Sequence, residues 1–338
     1  MLLYFFLIYS SLLFADSRKD EWENTGLIWN FNFIQRSDAG LNKTPLKYFA
    51  TEPSFDSSAY SNIDEGDVVW IKCKFLPQFC VEVLPLIQKH FILLISDGDE
   101  TFASDLKCDD LINELIANEK VIHLFVQNND FRHDPKITSI PIGIDFHTCA
   151  YKGESGGWGI KGTPREQENL LHSILSKAKP TYKRKARAFV DFQHSDTMHA
   201  EHKRYLQFGE DRASIYNKII KSGVVDSAGW LKRDELWRTK TQYAFSVSPH
   251  GNGLDCHRTW EDLALGCIVI VKTSPLDILY EGLPVVIIQD WGEINKKNLE
   301  LWLDRYGDAF TNPKYRSKLT FAHWMNKIKT VSQQYKNK

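Results

Sequence analysis

Pro249-His250-Gly251-Asn252-Gly253 is followed, after Leu-Asp-Cys, by His257, Arg258 and Glu261. These residue types handle phosphate and sugar. Glycines let backbone N–H groups approach an anion. An arginine offers a planar fork to phosphate oxygens, and a carboxylate accepts hydrogen bonds from sugar hydroxyls. Arg258 and Glu261 are spaced i, i+3, so on a helix they share a face and can serve one ligand; the plainer alternative is an Arg–Glu pair on a solvated face. His250, just before the glycines, is placed to meet the base or phosphates of a nucleotide. A second constellation, Asp97-Gly98-Asp99-Glu100, ends an apolar run at 91–96. Asp97 or Asp99 could be the general base that deprotonates an acceptor hydroxyl. The pair could instead hold a divalent cation on a diphosphate, or simply make a turn and a helix cap. The base is the preferred reading, with Asp97 ahead of Asp99, because a phosphate already has a candidate site near residue 251.

The elements that must position these groups follow from pattern. Residues 243–248 read as a strand, 249–255 as a glycine loop, and a helix starts near Cys256 or His257. Gly266 sits where a helix end favours a residue without Cβ. Residues 267–271 are continuously apolar, as in a parallel strand covered on both faces. Strand, glycine loop and helix together aim backbone N–H groups and a helix dipole at whatever lies above the sheet.

The rest of the chain alternates in the same way. Strands are expected near 27–33 and at 68–73, 91–96, 121–127, 137–144, 188–192, 224–227 and 285–288. Helices are expected at 77–90, 109–118, 166–179, 212–222, 232–241, 276–280, 295–306 and 315–335. Such alternation predicts an α/β fold with two Rossmann-like parallel-sheet domains facing a cleft. The domains are expected at 65–180 and 181–310, after a lead-in at 16–64 and before a C-terminal helix at 311–338. Residues 151–162 hold five glycines and read as a loop.

The run SPHGNGLDCHRTWEDLALGCIVIV resembles the donor-binding segment of exostosin-like glycosyltransferases of the family 47 type. There a P-x-G-x-G…R-x-x-E…G-C-I-P-V-I pattern recurs; Val269 stands where that family often has proline. The likeness spans about 65–300 and extends to the IPIGID run at 140–145. It implies the GT-B architecture, with 65–180 as the acceptor-side and 181–310 as the donor-binding domain, and an inverting transfer from a nucleotide sugar to a glycan or glycoconjugate hydroxyl with no cofactor beyond the donor; a helix end and cations at the phosphate site make the expected transfer metal-independent. It also implies that Gln193, His194 and Ser195, with Arg187 nearby, face the donor diphosphate, and that Glu261 holds the ribose. Arg212 reads as a second phosphate cation or a surface residue, and His147 as a structural histidine.

Other classes fit less well. The 251–253 glycines lack the third glycine of a dinucleotide fingerprint, because Cys256 stands in its place. Walker A, GxSxG and HExxH sequences do not occur. A net charge of −1 gives no field for nucleic acid. Residues 1–15 are uncharged and apolar, which fits a signal peptide or, alternatively, a short signal anchor tethering the protein to a membrane. Either points to the secretory pathway or a membrane, a Golgi-type lumen in a eukaryote, where Asn42-Lys43-Thr44 would be a glycosylation sequon. The rival readings are an exported two-domain solute-binding protein and a GT-A-like, metal-dependent transferase using Asp97 and Asp99.

Overall fold

The computed structural model describes residues 25–40, 54–107, 109–152, 158–194 and 211–336. The apolar N-terminal run, the Asn42 sequon, Cys108 and Ser195 lie outside the described residues. The strands form two sheets, and every pairing is parallel. The first holds β1 (Asp67–Lys72), β2 (Phe91–Ser96), β3 (Val121–Val126) and β4 (Ile137–Ser139), in that order. The second holds β5 (Lys185–Val190), β6 (Val225–Ser227), β7 (Tyr243–Val247), β8 (Ile268–Lys272) and β9 (Val285–Ile288). Its order is β6-β5-β7-β8-β9, so the chain leaves β5 on one side and returns to β7 on the other. Every residue of β2 and of β7 is buried, because helices cover both faces. This is the expected two-Rossmann architecture.

The helices are α1 (Asn30–Gln35), α2 (Leu76–Glu82), α3 (Asp109–Ala117), α4 (Pro164–Leu175), α5 (Arg212–Ile220), α6 (Arg233–Lys240), α7 (His257–Ala264), α8 (Lys296–Tyr306), α9 (Pro313–Ser317) and α10 (Phe321–Lys336). No helix among the described residues is long and apolar enough to cross a membrane. Four elements differ from the sequence pattern. Residues 27–33 make single bridges at Leu27 and Trp29 and then turn into α1, whose Phe31, Phe33 and Ile34 are all buried. Burial on every side removes the alternation a surface strand needs. The helix expected at 77–90 stops at Glu82, since Pro85 has no N–H and starts a separate turn, Leu84–Leu86. Beyond Ser139 the backbone leaves the sheet, because the N–H groups of Ile142 and Ile144 go to Asp255 and to the Ile28 carbonyl. The last helix is broken between α9 and α10, where Ile28 N–H bonds to the Leu319 carbonyl and Phe321 N–H to that of Gly26.

The two sheets share one apolar core. Ile92, Leu94 and Phe125 of the first sheet belong to the same buried cluster as Trp260, Val269 and Val271 of the second half. Helix α10 contributes Trp324 and Ile328 to that cluster and returns to the first domain, where Ser332 Oγ donates to the Gly66 carbonyl at 3.0 Å.

Within the second domain a buried charge triad joins α6, the loop after β5, and α7. Lys240 Nζ lies 2.7 Å from both Asp191 Oδ2 and Asp262 Oδ1. Burial works against the ammonium, but the two carboxylates outweigh it and raise its pKa. Burial pushes the Asp262 carboxyl up to about 6. Replacing Lys240 by Met leaves two anions without their cation and should cost about 3–5 kcal/mol at pH 7. The loss should shrink toward pH 5, where Asp262, whose folded pKa is raised, takes up a proton and sheds its charge. Urea denaturation at the two pH values checks this, and equal losses at both would contradict it.

Candidate functional site

In open parallel sheets ligands bind beyond the strand carboxyl ends, at the point where strand order reverses. In the second sheet that point lies between β5 and β7. The loop after β5 supplies Asp191, Phe192, Gln193 and His194, and the loop after β7 supplies Ser248 to Asp255. Between them sits Arg258, in the first turn of α7. Its Nε is 3.3 Å from Ser248 Oγ and 3.9 Å from Asp191 Oδ1, Nη2 donates to the Pro249 carbonyl at 3.1 Å, and the guanidinium lies 5.8 Å from the Phe192 ring centroid. The N-cap of α7, Cys256, provides no side-chain hydrogen bond to the helix N–H groups. The positive end of α7 and a half-buried guanidinium therefore share one corner.

The glycine loop is strapped from behind. Buried Arg212 donates Nε and Nη2 to the His250 carbonyl at 3.0 and 2.7 Å, and Nη1 to the Gln193 carbonyl at 3.4 Å. The guanidinium thus ties together the loops after β5 and β7. His250 Nδ1 lies 2.9 Å from the Leu254 carbonyl, and burial lowers the imidazole's pKa. Gly251 N–H donates to the Gly253 carbonyl at 3.1 Å, and Asn252 is half-buried between them. His194 stacks on Tyr216 with ring centroids 3.8 Å apart.

Two expected donor contacts face elsewhere in the structure. Arg187 lies inside β5, not at its carboxyl end, and its Nε and Nη2 grip Asp226 at 2.8 and 2.5 Å. Glu261 is 4% exposed; its Oε1 lies 2.6 Å from Arg233 Nη2, and its Oε2 accepts from Trp237 Nε1 at 3.2 Å. Arg233 also donates to Gln167 Oε1 at 2.7 Å, so Glu261 ends a buried chain joining α4, α6 and α7. Arg258 and Glu261, though one turn apart, serve different neighbours.

Opposite stand the strand ends of the first sheet. Asp97 follows β2 with φ 63, and Asn128 follows β3 with φ 50. Left-handed backbone at a non-glycine residue is strained, and Asp and Asn tolerate it best. Asp97 Oδ1 accepts from Asn30 Nδ2 at 2.6 Å, and Oδ2 lies 3.2 Å from Lys72 Nζ. Asp99 is exposed in the following turn. Among the described residues no group of three or more His, Cys, Asp or Glu side chains gathers as a metal would require.

The two edges are joined through Asp255, which the sequence did not single out. Its Oδ2 accepts from Ile142 N–H at 2.8 Å, and its Oδ1 from Cys256 N–H at 2.9 Å and from Tyr280 Oη at 3.3 Å. The Trp260 indole N–H bridges both oxygens, and Asp255 N–H donates to Asn128 Oδ1 at 2.9 Å. Burial pushes this carboxyl up to about 6 against those hydrogen bonds. Beside it His257 Nδ1 meets the Gly143 carbonyl at 2.7 Å. Gly143, at φ 73, lies so close to Ile28 that a Cβ would stand 2.3 Å from the Ile28 carbonyl oxygen.

Two large surface depressions lie elsewhere. One, of about 810 Å³, is lined by Lys107, Asp109, Asp110, Asp130 and Arg132, and one of about 650 Å³ by Tyr182, Glu300, Asp304 and Tyr315. Acidic residues at the α3 start, Asp109 and Asp110, oppose an anion there, so size does not make that depression the phosphate site.

No protein-family model matches the chain, and no curated protein is significantly similar in sequence. Among solved structures it is similar to a sucrose-phosphate synthase from Thermosynechococcus elongatus, with 10% identity and a TM-score of 0.39 over 80% of this chain and 73% of that one. It is also similar to a UDP-forming α,α-trehalose-phosphate synthase from Burkholderia xenovorans, with 11% identity and a TM-score of 0.37 over 80% and 74%. A third is the GtfA/B complex, with 12% identity and a TM-score of 0.35 over 80% of this chain and 58% of that one.

Gly253 tests the contact between the two edges. A Cβ there would lie 2.7 Å from Asn128 Nδ2 and 3.1 Å from the Asp99 carbonyl oxygen, whereas one at Gly229 meets nothing within 4 Å. Gly253→Ala should therefore cost about 1–3 kcal/mol, and Gly229→Ala close to nothing. Thermal unfolding of the two variants checks this; equal melting temperatures would mean the edges do not touch.

Proposed function

We propose that this protein is a nucleotide-sugar-dependent glycosyltransferase of the exostosin-like, GT-B type, inverting and independent of metal. The observation that carries the reading is a convergence at the β5–β7 switch point. A glycine loop, the α7 N-terminus and Arg258 meet there, facing the Asp97-bearing edge of the first sheet. The first set suits a departing nucleoside diphosphate, and the second suits a hydroxyl that must lose its proton.

In this reading the diphosphate sits against the 251–253 backbone and the first turn of α7. Arg258 turns its fork from the Pro249 carbonyl toward the phosphate oxygens. A helix end and a guanidinium in a partly dry corner supply the field that stabilises a leaving diphosphate. Gln193, His194 and His250 border the nucleotide, and Arg212 holds their loops in register. Glu261 is given an indirect task, fixing α7 against α6, because its carboxylate is committed to Arg233 and Trp237. The acceptor, a glycan or glycoconjugate hydroxyl, lies on the first-domain side, where its proton passes to the cluster around Asp97.

Calorimetry with UDP and GDP, first in EDTA and then with Mg²⁺, tests the reading. Binding of one of them in EDTA is expected, weakened about tenfold or more by Arg258→Ala, the usual worth of a charge-assisted pair. Binding that needs Mg²⁺ and disappears in Asp97→Asn or Asp99→Asn would move the donor to the first sheet and favour the metal-dependent alternative. Failure of both nucleotides to bind under either condition would overturn the transferase reading.

A further inference from the structure

We propose that Asp145 and His147 form a dyad in which His147 takes the proton of the acceptor hydroxyl and Asp145 orients the imidazole. The proposal rests on the transferase reading above and names the proton acceptor within it. Residues 140–147 leave β4 and run into the seam between the sheets. Their backbone is pinned on both sides, Ile142 N–H to Asp255, Ile144 N–H to Ile28 and the Gly143 carbonyl to His257. The pinning delivers Asp145 and His147 to the first turn of α7.

Asp145 is buried; its Oδ1 lies 3.0 Å from His147 Nδ1 and accepts Thr148 N–H at 2.9 Å. The His147 side chain keeps 28% of its surface exposed, and its ring centroid is 5.6 Å from that of His257. An imidazole therefore stands beside the helix end assigned to the diphosphate. The Asp145 carboxylate lies at ion-pair distance from Nδ1 and favours the neutral tautomer with its proton on Nδ1 and its lone pair on Nε2. Asp145 and His257 face the ring directly, and Asp97 and Arg233 are the further charges with the largest influence on it. Burial is the largest influence and lowers the imidazole's pKa, which favours the neutral ring, with the two carboxylates pulling the other way. Burial raises the Asp145 pKa, but His147, His257 and Arg233 outweigh it and hold the carboxyl well below its ordinary range. A purely local role would be the 145–148 turn, yet the Asp145–Thr148 bond makes that turn without the histidine.

In the step, the acceptor oxygen bonds to the anomeric carbon as the carbon–oxygen bond to the diphosphate breaks. The electron pair of that bond leaves with the nucleoside diphosphate. The hydroxyl proton passes to His147 Nε2, and the resulting imidazolium is stabilised by the anions of Asp145 and Asp97. Asp97, already held by Lys72 and Asn30, then acts through its charge and need not accept the proton itself.

Two measurements on the full chain test this. ¹⁵N spectra of histidine-labelled protein, with His147 assigned by its loss in His147→Gln, should show the neutral Nδ1–H tautomer at pH 7. The Nε2–H tautomer would overturn the dyad whatever the activity. Release of nucleoside diphosphate from UDP- and GDP-sugars, with mono- and oligosaccharide acceptors, gives kcat. His147→Gln should lower kcat about 10²–10⁴-fold with UDP and GDP affinity unchanged. Asp145→Asn should lower kcat and move the acid limb of its pH profile to lower pH, since the anion that raises the ring's pKa is gone; Asp145→Glu should restore part of both. Undiminished turnover in His147→Gln with nucleotide binding intact would overturn the dyad alone. A parent chain that neither binds nucleotide nor turns over would overturn the transferase reading and the dyad's role with it.

Discussion

One buried carboxylate holds the two halves of the site in register. Asp255 stands at the end of the glycine loop, 2% exposed, with hydrogen bonds from both domains converging on it. An anion without water must have its lone pairs satisfied, and each donor missing here would cost about 1–3 kcal/mol. The penalty makes the loop, α7 and the 140–147 segment settle together or not at all. The shared apolar core fixes how the sheets face each other; Asp255 fixes which backbone atoms meet at the seam.

The other buried charges follow the same logic at greater distance from the seam. Arg233 holds Glu261 and Gln167, and Lys240 holds Asp191 and Asp262, so both ends of α6 are tied to α7 through desolvated ion pairs. Such pairs add little net stability, since desolvation offsets most of the attraction, but they punish any displacement that separates the partners. The consequence for function is a helix whose N-terminus cannot drift. Arg258 is then left as the partly exposed cation at the switch point, bonded mainly to a hydroxyl and a carbonyl that a phosphate can replace.

Much of this was legible in the sequence, and what was not has a common cause. Parallel strands buried on both faces read as apolar runs, so FILLIS, VIHLFV and IVIVK announced themselves. The strand–glycine loop–helix unit was legible because its grammar is local. The reversal of strand order at β5 and β7 was not, because nothing within one strand states its neighbour. Glu261 misled for the same reason: i, i+3 spacing from Arg258 is a property of one helix, while its partner Arg233 belongs to another. Asp255 is a single Asp in a loop, and only the three-dimensional seam reveals what it ties. Asp145 and His147 stand two residues apart, where Asp145 caps the helical turn that begins at His147, so the pair is legible only once that turn is known.

The proposed transfer requires a nucleoside diphosphate to bind at the carboxyl ends of β5 and β7. Hydrogen–deuterium exchange read by mass spectrometry, with the full chain saturated in turn by UDP and by GDP, locates the ligand without assuming any residue's role. Slowed exchange in peptides covering 190–194 and 248–258, with the 97–107 stretch unchanged, is the predicted result. Protection confined to 97–107, or none with either nucleotide, would contradict it.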